Sequence, residues 1–301
     1  MPDPSSPPPE RKPGPVTLRT LQRMARAGQP FACLTCYDAT TARWLERAAV
    51  PVLLVGDTAA EMVLGFDRTI DMPLEVLLAL TAGVKRGAPN TLVMGDMPFL
   101  SYQADDAEAI RNAGRFLTEA RADVVKLEVD ASFAPLVAKL TRAGIPVCAH
   151  VGSKPQHTAR TGGYASAGRS AEAARAVLAD ARALEDAGAV MLLVEAVPDA
   201  VGEALVAASS VPVIGIGAGP APHGQVLVLQ DLLGLTDHPP RFAEPLASLG
   251  AAIQAAGEAW VRRVAERAVG HGHYEMPPDE LARFKAPAGK PPKPAPDQNP
   301  S

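Results

Sequence analysis

The sequence predicts an α/β protein that folds as a (β/α)8 TIM barrel, and three observations favour this class. Eight short apolar runs rich in β-branched residues recur along the chain, as in parallel strands buried on both faces. Alanine- and leucine-rich stretches of helical length follow most of these runs. The chain has 301 residues, and one such barrel occupies about 250. An open doubly wound sheet is the alternative, because sequence alone does not show whether a sheet closes.

The predicted strands share an abrupt end in a polar residue or a glycine. They are FACLTCYD (31–38), VPVLLVGD (50–57), TLVMGDM (91–97), DVVKLEV (123–129), PVCAHVG (146–152), VMLLVEAV (190–197), VPVIGIGAG (211–219) and QVLVLQD (225–231). The predicted helices cover 39–48, 74–86, 105–120, 131–143, 170–187 and 198–209. A C-terminal helix over about 246–269 would pack outside the barrel or against a partner.

Composition narrows the class of protein. Hydrophobic residues make up 47% of the chain, which permits a large core. A net charge of −4 supplies no basic surface for nucleic acid or an anionic membrane. Three cysteines, Cys33, Cys36 and Cys148, argue against a disulfide framework and are typical of a reducing compartment. Without an apolar signal segment or a run long enough to span a bilayer, a cytoplasmic protein is expected.

Both ends of the chain are rich in proline. Residues 1–15 contain seven prolines and residues 284–301 contain six, which disfavours helices and strands. We therefore predict disordered tails over 1–15 and 284–301 around a single catalytic barrel domain, 16–283. Passive solvated ends are the main interpretation of the tails, and a docking role is the alternative.

Polar side chains stand where the predicted strands end. They are Asp38, Asp57, Asp96, Lys126, Glu128, His150, Glu195 and Asp231. The active site of a barrel lies at the carboxyl ends of its strands, so these groups are expected to converge. For Asp38 and Asp231 a simpler interpretation is open, namely that each carboxylate caps the following helix.

Several carboxylates gathered at one barrel mouth would repel one another unless a cation or a proton joins them. The expected ligand set is Asp57, Asp96 and Glu128. Oxygen ligands without cysteine favour a hard cation, one Mg²⁺ before Mn²⁺, over zinc. A bound ion with open positions could take the keto and carboxylate oxygens of a small oxo acid and stabilise its enolate.

Three further residues receive candidate roles. Lys126 lies two positions before Glu128, so both point to one face of a strand, either into the barrel or outward under a helix. Inside, Lys126 would neutralise a substrate oxygen. Glu195 ends an apolar strand and suits proton abstraction, although a paired structural acid is the alternative. His150 could contact the substrate or orient a ligand, or be a core histidine bonded to backbone.

Three motifs have more ordinary interpretations than their patterns first indicate. Cys33 and Cys36 resemble a redox pair, but residues three apart on a strand face opposite sides. The glycines of GIGAG (215–219) precede prolines rather than a helix, so a tight turn is expected instead of a phosphate loop. The glycine-rich segment 161–169 is either a flexible loop or a lid over substrate.

Nine ordered segments resemble the ketopantoate hydroxymethyltransferase family. They are LTCYDATTAR (34–43), LLVGDT (53–58), VKRGAPNTLVMGDMPFLSY (84–102), VVKLE (124–128), GIPVCAHVG (144–152), GGY (162–164), LLVEAVP (192–198), VPVIGIGAG (211–219) and GQVLVLQDLLGL (224–235). Because they are long and spread over about residues 17–243, chance is a poor explanation of the likeness.

The resemblance implies a barrel of the phosphoenolpyruvate-mutase and isocitrate-lyase type. It also implies transfer of a hydroxymethyl group from 5,10-methylenetetrahydrofolate to 3-methyl-2-oxobutanoate, which gives 2-dehydropantoate in pantothenate biosynthesis. Mg²⁺ and the folate are then the cofactor and co-substrate. Members of the family form dimers or larger rings, commonly decamers, so a homo-oligomer is expected.

The resemblance assigns roles to individual residues as well. The metal would lie on Asp57, Asp96 and Glu128. The oxo acid would contact Asp57, Thr58, Asp96 and Lys126. The proton acceptor would be Glu195. Our assignments from the residue pattern agree with these roles.

This chain departs from the family pattern at several loop positions. The departing residues are Thr58 in place of serine, Ser153, Lys154, Ala165, His223 and Gln230. Most lie where a folate or a lid would be handled, whereas the acidic cluster is complete. A metal-dependent carbon–carbon lyase or aldolase of the related barrel group is therefore the rival enzyme, and a non-catalytic ligand-binding paralogue is the other alternative.

Overall fold

In the computed structural model, which describes residues 14–158, 162–163, 165–270 and 274–286, eight parallel strands close into a barrel. Consecutive strands pair throughout, and the last strand pairs with the first. The strands are β1 Phe31–Thr35, β2 Val52–Val55, β3 Leu92–Asp96, β4 Val124–Glu128, β5 Val147–Gly152, β6 Met191–Glu195, β7 Val213–Ile216 and β8 Gly224–Leu227. The predicted barrel is confirmed, and the open sheet is excluded.

Helices separate most of the strands along the chain. Those of the barrel are α1 Leu18–Arg26, α2 Ala39–Arg47, α3 Ala59–Met62, α4 Leu74–Gly87, α5 Asp106–Thr118, α6 Ala134–Arg142, α7 Ala171–Asp186, α8 Asp199–Ala208 and α9 Leu229–Leu232. Two more follow, α10 Leu249–Ala265 and α11 Pro278–Lys285. Short 3-10 turns cover Thr69–Asp71, Ala131–Phe133 and Pro155–His157.

Each strand divides its side chains between two apolar layers, as its two-residue period requires. One layer fills the barrel and includes Cys33, Met94 and Cys148. The other lies between the strands and the surrounding helices and includes Cys36 and Val125. Cys33 and Cys36 therefore face opposite sides, and burial raises the pKa of each thiol, so the prediction that they form no redox pair fits this geometry.

Helix α1 was not predicted from the sequence. It begins with a capping box in which Thr17 and Thr20 exchange hydrogen bonds between side chain and backbone. Its buried Leu21 joins the inner layer beside Phe31 and Val52, which begin β1 and β2. The helix thus contributes to the core at the end of the barrel opposite the carboxyl ends of the strands.

The last predicted strand was wrong in its second half. Only Gly224–Leu227 pairs in the sheet, whereas Leu229–Leu232 forms α9.

The predicted tails fall almost entirely outside the described residues, although α11 runs to Lys285. Contacts divide the chain into two compact units, one ending at Gly250 and one beginning at Ala251. Across the described ranges, no helix is long and apolar enough to cross a bilayer.

Candidate active site at the carboxyl ends of the strands

The inner face of the barrel changes from apolar to polar toward the carboxyl ends of its strands. Met94 on β3 and Val124 on β4 belong to the inner layer, and two residues later the same face carries Asp96 and Lys126. These two are paired in register, as are Glu128 on β4 and His150 on β5. The strand period therefore brings the predicted groups together, and Lys126 and Glu128 both point inward.

Lys126 and Asp96 form a buried ion pair. The ammonium of Lys126 lies 2.7 Å from each carboxylate oxygen of Asp96, and 3.9 Å from Glu128 Oε1. Burial lowers the pKa of Lys126, but the surrounding carboxylates outweigh burial and raise it overall. Burial raises the pKa of Asp96, and Lys126 opposes that shift. Lys126 is thus a fixed positive charge at the bottom of the site.

Asp57 follows β2 and lies against Asp96. Its backbone N–H donates to Asp96 Oδ2 at 3.1 Å, and both residues line the same pocket. Burial, and then the negative charge of Asp96, raise the pKa of Asp57 well above its usual value. A metal ion bound beside Asp57 would oppose both effects and favour its ionised form.

The charges of the site favour a divalent cation. Four carboxylates, those of Asp57, Asp96, Glu128 and Glu195, face two cationic groups, Lys126 and His150. When all are ionised, two negative charges stay unbalanced. Glu128 Oε1 is buried and has no hydrogen-bond partner among the residues that the structure describes. An oxygen in that position is available to a cation or to a water bound by one.

The described part of the chain contains no ready-made cage of three acidic, histidine or cysteine side chains around one point. Mg²⁺ does not need one, because it keeps several waters and binds through one or two carboxylates plus substrate. The pocket bounded by Asp57, Asp96, Lys126 and Glu128 holds about 50 Å³. That is room for about three or four water-sized groups. The residues therefore fit a hydrated Mg²⁺ better than zinc.

His150 lies between two carboxylates. Its Nδ1 is 3.6 Å from Glu128 Oε1, and its Nε2 is 3.4 Å from Glu195 Oε2. Burial lowers the pKa of His150, but the two glutamates outweigh burial and raise it to about 9. The imidazole is therefore cationic at neutral pH. It faces acids of the site, which favours an orienting role over contact with backbone alone.

Glu195 ends β6 where two pockets meet. It lines the inner pocket and also an outer cavity, and its side chain is 21% exposed. Its carbonyl accepts the N–H of Ser153, an approach that the positive φ of Gly152 permits, since a Cβ there would lie 2.5 Å from that oxygen. Ala196 follows with a φ of 49°, a strained backbone of the kind that clusters at active sites. Glu195 is thus held with its carboxylate at the mouth.

Gln156, which sequence reasoning missed, connects two of the predicted ligands. Its backbone N–H donates to Glu128 Oε2 at 2.9 Å, and its Nε2 donates to Asp57 Oδ2 and to the carbonyl of Met97, each at 3.0 Å. Its Oε1 accepts from the hydroxyl of Tyr102 at 2.9 Å. Because two acceptors face the NH2 group of Gln156 and a donor faces its oxygen, only one of the two possible orientations of the amide is favourable. A polar residue just past a strand end was the signal in the sequence.

The outer cavity opens beside Glu195 and holds about 510 Å³. Apolar side chains of Met62, Ile216 and Phe242 line part of its wall. Ala165 and Ser166, from the predicted lid segment, line it too, while residues 159–161 and 164 of that region lie outside the described residues. Thr58 borders both pockets, so its predicted place beside the substrate stays a prediction that the geometry allows.

One remaining candidate site residue and two residues that differ from the family pattern bond to parts of the protein outside the inner pocket. Asp38 is the N-cap of α2 and accepts from the backbone of Thr40 and Thr41, as its simpler interpretation predicted. His223 Nδ1 accepts the N–H of Val213, and Lys154 pairs with Asp130 at 2.9 Å. These contacts hold the barrel rather than the inner pocket.

The segment 215–219 contains no helix start. Gly217 and Gly219 have positive φ values of 56° and 76°, as a tight turn requires. Gln230 differs from the other departures, because its Oε1 is buried without a hydrogen-bond partner in the described parts of the chain.

A closed parallel barrel with acids and a lysine at the carboxyl ends of its strands defines a TIM-barrel enzyme. The family model of ketopantoate hydroxymethyltransferase matches residues 15–271, so the chain belongs to that family. A 3-methyl-2-oxobutanoate hydroxymethyltransferase of Alkalilimnicola ehrlichii is 47% identical over 259 residues, 86% of this chain and 92% of that one. Its counterpart in Heliobacterium modesticaldum is 43% identical over 252 residues, 83% and 91% of the two chains.

Solved structures with the same fold are more distant in sequence. A phosphonopyruvate hydrolase in complex with oxalate and Mg²⁺ aligns with a TM-score of 0.58 at 13% identity, over 89% of this chain and 96% of that one. A 2,3-dimethylmalate lyase of the PEP mutase/isocitrate lyase superfamily aligns with a TM-score of 0.56 at 19% identity, over 90% and 95%. The predicted barrel type is therefore confirmed at the level of the fold.

Proposed function

We propose that the protein transfers a hydroxymethyl group from 5,10-methylenetetrahydrofolate to 3-methyl-2-oxobutanoate and so makes 2-dehydropantoate for pantothenate biosynthesis. Family membership supports the reaction type. The observation that carries the proposal is the single inner pocket shared by Asp57, Asp96, Lys126, Glu128 and Glu195. It combines oxygen ligands, a fixed cation and a candidate base within reach of one small acid.

Different residues of the inner pocket have different proposed roles in the reaction. Lys126, held by Asp96, faces the substrate with a positive charge and stabilises oxygens that gain negative charge. Glu195 removes the proton from C3 of the oxo acid, directly or through water. Both bonds of the one-carbon unit to the carrier nitrogens break; water supplies the hydroxyl oxygen, and its two protons go to those nitrogens. C3 bonds to the released carbon, and the proton that Glu195 removed goes to the new hydroxyl oxygen.

Mg²⁺ is the proposed metal, one ion per subunit, held by Asp57, Asp96 and Glu128. When bound, it would polarise the ketone and make the neighbouring C–H bond more acidic. His150 is proposed to bind substrate indirectly, since it faces Glu128 and Glu195 rather than the open pocket. The geometry supports these roles through the pocket that Asp57, Asp96 and Glu128 line together.

We also propose that the protein is a homo-oligomer and that a decameric ring is one expected assembly. Exposed apolar side chains on α10, among them Ile253, Trp260 and Val261, support self-association. The cytoplasmic location stays a prediction from the sparse, unpaired cysteines.

Hydrogen–deuterium exchange at C3 of 3-methyl-2-oxobutanoate in D₂O tests the proposed function. NMR should record exchange with Mg²⁺ present, and 2-dehydropantoate should appear only when 5,10-methylenetetrahydrofolate is added. Exchange without any folate-dependent product would favour the lyase or aldolase rival. If no exchange at C3 occurs with Mg²⁺, either with or without the folate, the protein would be a non-catalytic ligand-binding paralogue.

Gln156→Leu is expected to weaken metal binding although Gln156 is not a proposed ligand. The substitution removes the amide that orients Asp57, and losing such a partner typically costs about 10- to 100-fold in metal affinity. It also removes the Gln156 donor to the Met97 carbonyl, while the Tyr102 hydroxyl keeps its contacts with the Glu128 backbone, so the free energy of unfolding should fall by about 1–3 kcal/mol. Titration with Mn²⁺ followed by electron paramagnetic resonance measures the affinity.

Gln225→Leu is the matched control for this measurement. Gln225 is exposed on β8, and its side chain donates to the carbonyl of Gly219, away from the acids. This variant should bind Mn²⁺ like the wild type. If Gln156→Leu does so too, Gln156 has no part in arranging the metal site.

A further inference from the structure

The outer cavity contains a buried acid that the reaction at the inner pocket does not use. Asp231 on α9 lines this cavity and is only 6% exposed. Its Oδ1 accepts the hydroxyl of Thr236 at 2.5 Å. Its Oδ2 has no hydrogen-bond or ion-pair partner among the described residues, and it is not one of the fully enclosed polar atoms, so it is accessible to a ligand. A largely buried carboxylate with one open acceptor on a cavity wall is suited to hydrogen-bond donors of a ligand in that cavity.

The cavity has the size and the lining of a site for a flat, partly polar ring. Its volume of about 510 Å³ falls in the usual range of small-molecule sites, which is about 300–1,000 Å³. Met62, Ile216 and Phe242 supply apolar wall, and Asp231 is a buried polar group on it. Glu195 stands at the junction with the inner pocket, so a ligand here reaches the reacting carbon.

We propose that Asp231 recognises the amide and amine edge of the pterin ring of the one-carbon carrier. This assignment rests on the proposed function and names the residue that would select its co-substrate. A pterin presents two adjacent donors on one edge, the N3–H and the 2-amino group. A carboxylate accepts both in parallel, because Oδ2 is open and Oδ1 keeps a second lone pair beside the Thr236 hydroxyl.

The position of Asp231 also explains how the ring would be turned. Asp231, the apolar wall and Glu195 line the same cavity, so a ring whose donor edge binds Asp231 would have its remaining part in the space shared with Glu195. The carrier nitrogens that hold the one-carbon unit lie on the side of a pterin away from its 2-amino group. Recognition at Asp231 therefore directs the reactive end to the inner pocket.

Calorimetric titration of the full-length protein with tetrahydrofolate tests the assignment without any turnover. Asp231→Asn should raise the Kd by about 10- to 100-fold, as expected when a hydrogen bond to a charged group is lost. The wild type should also bind a carrier analogue whose 2-amino group is replaced by methyl at least about tenfold more weakly than tetrahydrofolate, since the carboxylate then lacks one donor. Asp231→Asn should discriminate little between the two compounds.

Thr236→Val separates recognition from a structural role. Thr236 also lines the cavity, but valine has nearly the same shape and the carboxylate of Asp231 is kept, so tetrahydrofolate affinity and discrimination should stay within a few-fold of the wild type. If Thr236→Val loses as much affinity as Asp231→Asn, Asp231 acts by stabilising the backbone through its hydrogen bond with Thr236, and the proposal is wrong. Unchanged affinity in Asp231→Asn would overturn it as well. Failure of the proposed function would be seen separately, as missing C3 exchange in the wild type.

Discussion

Asp96→Asn is expected to lose metal-dependent exchange at C3 by at least about 10³-fold. Polarisation of a carbonyl by a metal is worth several kcal/mol, and each 1.36 kcal/mol changes a rate tenfold. The asparagine keeps one oxygen and places an NH2 group against Lys126 or the Asp57 N–H, both of which are donors. Metal affinity, measured with Mn²⁺ by electron paramagnetic resonance, should fall in parallel.

The same substitution should reduce stability, because Lys126 would stay buried with a weakened partner. Its next acid, Glu128 Oε1, is 3.9 Å away. Breaking a buried pair typically costs about 3–5 kcal/mol. Domains are commonly stable by about 5–15 kcal/mol, so the variant should fold at low temperature and unfold at lower denaturant concentration. Circular dichroism during urea titration measures this cost.

Asp123→Asn provides a matched control for both effects. Asp123 precedes β4 at the other end of the strand, and it too pairs with a lysine, Lys85, at 2.7 Å. Its carboxylate also accepts the N–H of Val93. This variant should lose some stability and keep wild-type exchange and Mn²⁺ affinity. Wild-type exchange in Asp96→Asn would remove Asp96 from the proposed ligands.

Much of the site could be predicted because it continues the regular part of the fold. The two-residue period of a strand that carries Met94 inward also carries Asp96 inward, and it does the same for Lys126 and Glu128. The barrel rule then places these residues at one mouth. Closure of the barrel was expected only from the number of strands. No residue pattern shows whether β8 pairs with β1 or whether the sheet stays open.

The parts that sequence did not predict depend on irregular backbone. The amide of Gln156 reaches Asp57, which is 99 positions away, only because a 3-10 turn at Pro155–His157 returns the chain over the mouth. No periodicity encodes such a contact. The apolar run after Val226 was mistaken for continued strand because α9 begins within it, and four residues are too few to show a helical period. Asp231 consequently lies in a helix rather than before one.

Glu195→Gln is expected to reduce C3 exchange by about 10²- to 10⁴-fold, the usual contribution of a positioned general base. A glutamine has nearly the same shape, so the backbone contacts at Ser153 and Gly152 should persist. Glu195 lies where the inner pocket meets the outer cavity, 21% exposed, and it makes no ion pair with Lys126. Affinities for Mn²⁺ and for the oxo acid should therefore change by only a few-fold.

This separation of binding from exchange distinguishes a base from a metal ligand. Loss of Mn²⁺ affinity together with exchange would place Glu195 among the ligands, and wild-type exchange would assign the proton to another group. Glu185→Gln is the matched control, since Glu185 accepts from the backbone and hydroxyl of Ser210 outside the barrel. This variant should leave every rate unchanged.

Because the imidazole of His150 faces the Glu195 carboxylate at 3.4 Å, neutralising Glu195 removes one of the two acids that raise the His150 pKa. The pKa of His150, followed by NMR, should consequently be lower in Glu195→Gln than in the wild type, which reports the contact even where exchange is too slow to measure.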